Sequence, residues 1–405
     1  MTDRLSLPPE DIFRVVRDIF VDELSQSRRT AFSPTESAAW TAATSVREDG
    51  LGLDSLERFT VAGRLNETFH LYRSGVEDNL LRAATLGDTA EVIQAGLVEH
   101  AREISFYSGG STGSPHIVSH TARDLTAEVK ELAQLVPGRH RVIVTVPVHH
   151  IYGFIFGVLL PREIGVPVID AQYSLLSGDK RPRSGDLVVS IPFLWQRLRG
   201  WISHWGPGIM GSCSTAPLSA DIAGELCRGG IERLLEVYGS SETAGVGWRD
   251  RCAGEERFTL FSRWQRVGPE EVRTGERSVE LPDRITWYGD RSFLPAGRRD
   301  AVVQVGGTNV DLDRLRDTIL QVVPEAHDCA LRLSSDERIR AFLVVPQAPA
   351  EQEPAGQAPA EQPSPLDEEQ ITARLRRHLP DVALPRAITL GRALPRTVTG
   401  KIADW

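Results

Sequence analysis

Tyr107-Ser108-Gly109-Gly110-Ser111-Thr112-Gly113-Ser114-Pro115-His116 decides how the rest of the chain is read. Glycines allow positive φ and close backbone approach to an anion, while successive N–H groups and the Ser and Thr hydroxyls can converge on phosphate oxygens. Ile104 and Phe106 predict a short strand entering the loop, and Ile117 and Val118 a strand leaving it. Alone, the run fits a phosphate cradle or an ordinary small-residue turn. The choice rests on what lies elsewhere in the chain.

Outward from that loop, 405 residues suffice for two or three domains, and 41% apolar with 25% charged residues describes a globular protein. A net charge of −9 gives no electrostatic footprint for nucleic acid or an anionic membrane. Cys213, Cys227, Cys252 and Cys329 form no C-x-x-C pair, which argues against zinc and against a disulfide framework and fits a reducing cytoplasm. Met1-Thr2-Asp3-Arg4 lacks the basic and apolar regions of a signal peptide. The apolar stretch from Ile151 to Ile169 is broken by Pro161, Arg162 and Glu163, so it reads as core. The expectation is a cytoplasmic protein without nucleic-acid or membrane partners; no oligomeric state follows.

Residues 1–97 read as a small helical unit. Ile12, Val16, Ile19 and Phe20 recur at helical spacing after Pro8-Pro9. Gly50-Leu51-Gly52-Leu53-Asp54-Ser55-Leu56 follows, with Asp54 or Ser55 capping a second helix that turns Phe59, Ala62, Leu65 and Phe69 to one side. Thr85-Leu86-Gly87-Asp88 precedes another helical run. This arrangement resembles an acyl carrier protein, in which the serine of Leu-Gly-x-Asp-Ser-Leu receives phosphopantetheine. The resemblance puts Ser55 at that position. The alternative is a helix cap that is never modified.

After the glycine-rich loop, Thr121 to Leu135 reads as an amphipathic helix and Arg141 to Val146 as a buried strand ending at Pro147-Val148-His149-His150. Polar residues at the carboxyl end of a buried strand lie where open α/β sheets bind ligands. Gly211 to Leu218 is a small-residue turn that could admit a flat base, or simply begin a helix. Tyr238-Gly239-Ser240-Ser241-Glu242-Thr243 puts an aromatic ring, hydroxyls and a carboxylate after a strand, and a carboxylate beside phosphate suits Mg²⁺. Asp290 can accept from ribose hydroxyls and Arg298 can donate to ribose or phosphate. Residues 346–366, rich in Pro, Ala, Gln and Glu, read as a flexible insertion. Gly400-Lys401 ends the chain on a turn that could point the lysine inward.

In this order the stretches resemble the adenylate-forming superfamily of acyl-CoA synthetases, nonribosomal peptide adenylation domains and luciferases, over about residues 101–405. The implied fold is α/β: an adenylate-forming core of mixed sheets and helices (98–299), a small α+β C-terminal lid (300–405), and the N-terminal all-α carrier-like bundle (1–97). The resemblance assigns Ser108, Gly110, Ser111, Thr112, Gly113 and His116 to the phosphate loop, and Ser214, Thr215 and Ala216 to the adenine turn. Tyr238 and Gly239 join the nucleotide site with Asp290 and Arg298, and Glu242 becomes the Mg²⁺ ligand. His150, Ser241 and Lys401 take catalytic positions, and Asp300 falls at the hinge. A narrower likeness is to ligases that start aryl-polyene pathways.

The implied reaction is ATP-dependent activation of a carboxylic acid, aryl or acyl, to an acyl-adenylate, followed by transfer to a phosphopantetheine thiol on a carrier protein in cis or in trans. Alternatives are a free-standing ligase using CoA and a non-catalytic carrier or scaffold with a decayed ligase module. The chain departs from the family pattern in four ways. His116 and Gln304 replace lysines, Ser241 replaces threonine, and the carrier-like unit stands where the family has a longer N-terminal subdomain.

Overall fold

The computed structural model describes residues 4–28, 32, 34–108, 116–172, 180–202, 206–299, 302–305, 308–334, 338–346, 367–396, 402–403 and 405. The chain forms two compact units, residues 1–281 with 287–294 and residues 282–286 with 295–405.

The first unit opens with helices α1 (Pro9–Ser27), α2 (Pro34–Ala38), α3 (Ser55–Phe69) and α4 (Leu86–His100). Pro9 starts α1, where its missing N–H costs nothing, and Ile12, Val16, Ile19 and Phe20 are buried as their spacing predicts. Asp11, Arg17 and Asp18 are buried too. Arg17 pairs with Asp170 and with Asp18 (3.2 Å), Asp18 accepts the Val148 N–H at 2.8 Å, and Arg14 donates to the Gly157 carbonyl at 2.7 Å. The expected carrier-like bundle is therefore not a body of its own. A carrier's polar helix face is solvated, whereas this one is pressed into the α/β core of the first unit. In α3 the cap is Asp54, which forms a capping box with Glu57. The inward face is Val61, Leu65, Thr68 and Phe69, and Phe59, expected inward, is 62% exposed.

Strands β1 (Glu103–Ser108) and β2 (His116–Thr121) pair antiparallel, with Ser108 opposite His116, as expected for a hairpin carrying the glycine-rich loop. Then follow α5 (Ala122–Leu135), capped by Thr121, β3 (Arg141–Val144), α6 (Ile151–Phe154), a π-helical turn (Ile155–Leu159), α7 (Leu160–Ile164), β4 (Val168–Asp170), β5 (Asp186–Ser190), α8 (Pro192–Ile202), β6 (Ile209–Cys213), α9 (Ala220–Arg228), β7 (Ile231–Ser240), β8 (Ala244–Asp250) and β9 (Phe258–Leu260). A three-stranded meander of β10 (Gln265–Arg266), β11 (Glu271–Thr274) and β12 (Arg277–Glu280) precedes β13 (Asp283–Tyr288) and β14 (Ser292–Arg298), which run from one unit to the other.

The main sheet has the order β13-β14-β9-β8-β7-β6-β5-β3-β4. The run from β4 through β7 is parallel and the rest is antiparallel. Every residue of β5 and β6 is buried, as a parallel sheet covered on both faces requires. Ile143 packs with Trp195, Leu226 and Leu234. The next residue, Val144, points oppositely toward Gly157, where an added Cβ would lie 3.0 Å from its methyl.

In the second unit β15 (Val302–Val305) and β16 (Thr308–Asp311) form a hairpin, followed by α10 (Leu312–Val322), β17 (Asp328–Leu333), β18 (Ile339–Val344), α11 (Glu368–Leu375) and β19 (Ala387–Gly391). Ile319, Val323, Leu343, Ile371 and Leu375 form its core, an α+β arrangement as expected. The unit includes 282–286 and 295–299, and the Arg299 N–H donates to the Pro282 carbonyl at 2.9 Å, joining these two segments. Residues 347–366, nearly all of the expected insertion, lie outside the described residues.

Against expectation, Cys227 and Cys252 form a disulfide. Their separation of 25 residues conceals the pairing, because β7 and β8 bring the end of α9 and the turn after β8 together. The cysteine argument for a reducing compartment therefore fails. Among the described residues no helix is long and apolar enough to cross a membrane.

Candidate active site

Parallel registry aligns the carboxyl ends of the central strands: Val144 beside Val189, Ser190 beside Cys213, and Cys213 beside Glu236. Ligands of open α/β sheets bind at this edge. Three of the stretches singled out in the sequence leave the sheet there.

His150 follows β3 as the N-cap of α6, and its ring lies against that of His149, tilted by 43°, with centroids 4.0 Å apart. After β6, Ser214 is buried and donates to the Val237 carbonyl at 2.8 Å. Thr215 then takes φ 79, and Ala216 and Pro217 are exposed. A β-branched residue in the left-handed region is strained by about 1–3 kcal/mol and tends to mark a functional site. Glu236 of β7 holds this turn: one carboxylate oxygen accepts the Leu218 N–H at 3.0 Å, and the other is bound by Arg249 (2.9 Å) and Arg251 (3.2 Å).

At the end of β7, Tyr238 packs against Phe258 and Phe293 with centroids 5.8 and 5.5 Å away. Gly239 is irreplaceable, since a Cβ there would lie 2.0 Å from the Ala244 carbonyl oxygen. The turn from Ser241 to Gly245 is held from three sides. Ala244 adopts φ 57. Arg277 donates to the Glu242 carbonyl at 2.8 Å. Glu128 of α5 accepts the Gly245 N–H at 3.1 Å and pairs with Arg263 at 2.6 Å. Burial pushes the Glu128 carboxyl up, against the pull of Arg263 and the Gly245 amide. Glu242 itself is half-buried, and one carboxylate oxygen donor beside phosphates is the chemistry Mg²⁺ accepts.

His120 of β2 binds the Ser241 carbonyl at 2.6 Å through Nε2, tying the strand that leaves the glycine-rich loop to this turn. Burial lowers its pKa to about 4, outweighing the opposing Ser241 bond, with Arg277 and Arg263 adding to the fall. The imidazole is thus neutral and Nε2–H is the donor. Because the folded pKa lies below the unfolded value of about 6.5, the unfolded chain binds more protons in between, and stability falls as pH drops from about 6.5 to about 4. His120→Gln, which keeps an N–H donor, is expected to flatten the slope of melting temperature against pH over that window. An unchanged slope would refute this role.

Asp290 is exposed in the turn between β13 and β14, beside Gly289 at φ 79 and three positions before Phe293, which packs on Tyr238. Arg298 ends β14. Ser108 and His116 flank the glycine-rich loop, while Gly110, Ser111, Thr112, Gly113, Asp300 and Lys401 lie outside the described residues. Gln304 lies in β15.

Ser55 is exposed at the first turn of α3. The far end of that helix meets β1 through His70 and Ser105 at 2.9 Å, about 20 Å away at 1.5 Å per residue. Sequence reasoning missed His120, Glu128, Glu236, Arg263 and Arg277; the one signal was a charged or polar residue within an apolar element.

The AMP-binding enzyme family model matches residues 104–268. The 4-coumarate–CoA ligase of Halorhodospira halophila is 32% identical over 98% of this chain and 99% of its own length. That of Rhodobacter capsulatus is 35% identical over 94% and 97%. Among solved structures, ATP-bound MatB from Rhodopseudomonas palustris has the same fold, with a TM-score of 0.57 and 14% identity over 96% of this chain and 91% of that one. The chain belongs to the AMP-binding enzyme family. It is an AMP-forming acid ligase that activates its acid with ATP.

The relatives extend through the first hundred residues, so that region is common to ligases and gives no support to a carrier domain or a phosphopantetheine arm. They favour a CoA ligase over transfer to a carrier protein, and the narrower likeness to aryl-polyene ligases gains nothing from them.

Proposed function

We propose that the protein converts an aromatic acid of the 4-coumarate class to its CoA thioester through an acyl-adenylate. The carrying observation is the end-to-end similarity to proteins named 4-coumarate–CoA ligase, and the convergence of His150, Ser214–Ala216 and Tyr238–Glu242 at one sheet edge agrees with it. A carboxylate oxygen attacks the α-phosphorus of ATP, the bond to the β-phosphate breaks, and pyrophosphate leaves. The CoA thiol, losing its proton, then attacks the acyl carbon and AMP leaves.

On this reading Ser111, Thr112 and loop N–H groups hold the β- and γ-phosphates between Ser108 and His116, and Asp290 and Arg298 bind ribose. The Thr215 backbone offers a flat surface to adenine. Glu242 would hold Mg²⁺, which when bound offsets phosphate charge. Lys401 bridges the carboxylate and an α-phosphate oxygen until rotation at Asp300 withdraws it.

A second reading, transfer to phosphopantetheine on Ser55, draws on the exposure of Ser55 together with that of Leu56 and Phe59, 75% and 62%. Pyrophosphate exchange with aromatic and aliphatic acids, followed by thioester detection with and without CoA, separates the two. Exchange selective for 4-coumarate and a CoA thioester unaffected by Ser55→Ala are expected. Exchange with aliphatic acids alone, or a thioester found only on the protein, would replace the proposal.

A further inference from the structure

His149 is not assigned a role by any motif, yet its imidazole is buried to 4% side-chain exposure, with no hydrogen bond to either ring nitrogen among the described residues. Its Nε2 lies 3.6 Å from Asp22 of α1, and its ring lies against that of His150 at a tilt of 43°. Asp22 also pairs with Arg64 of α3 at 3.0 Å. That arginine binds Glu23 and lies 4.3 Å over the ring of Tyr107, whose hydroxyl binds Glu67. One residue ahead of His149, Asp18 fixes the Val148 N–H. Helix α1 thus grips the turn carrying the histidines by its backbone and by a side chain.

We propose that Asp22 is a positioning residue for binding of the carboxylic acid: it holds His149, whose ring, in tilted contact with that of His150, sets the orientation of His150 at the acid site. The inference rests on the reading that His150 lines that site. A buried imidazole with unsatisfied nitrogens would otherwise have to settle against whatever polar group it met. The carboxylate gives it one direction. Burial disfavours the charge on Asp22, but the facing His149, then Arg64 and His150, outweigh it and keep the carboxyl well below its usual range, so the anchor is ionised at neutral pH.

The test is steady-state pyrophosphate exchange by the full chain, comparing Asp22→Asn, Asp22→Glu, His149→Phe and the double variant Asp22→Asn/His149→Phe. Asp22→Asn and His149→Phe are each expected to raise KM for the acid about tenfold, within the range of coupled neighbours, with kcat and KM for ATP changed less than twofold. Asp22→Glu should recover most of the loss. The double variant should be no worse than either single one, since both cut the same link.

His149→Phe keeps an aromatic ring against His150 and leaves Asp22 paired with Arg64, so it reads the link even if Asp22→Asn fails to fold. An unchanged KM for the acid, equal shifts in both KM values, or a hundredfold additive loss in the double variant would overturn the assignment while leaving the acid-ligase reading intact. A wild-type protein without exchange for any aromatic or aliphatic acid would overturn both.

Discussion

Lys401→Ala is expected to lower acid-dependent ATP–pyrophosphate exchange by about 10²–10³, the usual loss when one donor aimed at developing transition-state charge is removed. In the proposed reaction negative charge builds between the incoming carboxylate and the α-phosphate, and Lys401 serves both. KM for ATP should change little, because the proposal assigns the phosphates and ribose to other groups. Lys401→Arg should recover only part of the rate, since a planar fork cannot replace a compact ammonium at one point. Thioester formation from synthetic acyl-adenylate and CoA should survive, because the proposed mechanism gives the lysine no part in that step. Exchange retained in full by the alanine variant would remove this mechanism; loss of both half-reactions would point to a folding defect.

Glu236→Ala should be the most damaging single change to stability, on the order of 3–5 kcal/mol, the range for removing one member of a buried ion pair. The carboxylate is 3% exposed at the side chain, between Arg249 and Arg251 at 11% and 12%. Alanine would leave two guanidinium groups confined together and the Leu218 N–H without its acceptor. Glu236→Gln should cost less, because an amide oxygen can still receive Leu218. Urea midpoints read the stability, and KM for ATP reads the turn around Thr215, which should weaken in both variants. A midpoint unchanged in Glu236→Ala would mean that the arginines find other partners.

The stretches that define the site were legible because their chemistry is local. Tyr238-Gly239 and Ser214-Thr215-Ala216 follow strands whose β-branched and apolar residues declare themselves, and Thr121, Asp54 and Thr85 begin the helices they cap. Their supports were not legible. His120 meets Ser241 across 121 positions and Glu128 meets Gly245 across 117, and no periodicity ties such pairs together. The seating of helix α1 was hidden for a related reason. Hydrophobic spacing finds the face lined by Ile12, Val16 and Ile19 but treats Asp11, Arg17 and Asp18 as solvated, because charges are seldom buried unless paired. Their partners, Arg162, Asp170 and the Val148 amide, appear only once the chain has folded.

The way α1 is seated also limits how the gene can be cut and joined. A chain begun at Glu103 would retain every motif of the ligase, yet expose Asp170 without Arg17 and the Val148 amide without Asp18. The first hundred residues cannot be traded between enzymes as a cassette. Any graft must carry the turn at His149 along with the helix that holds it.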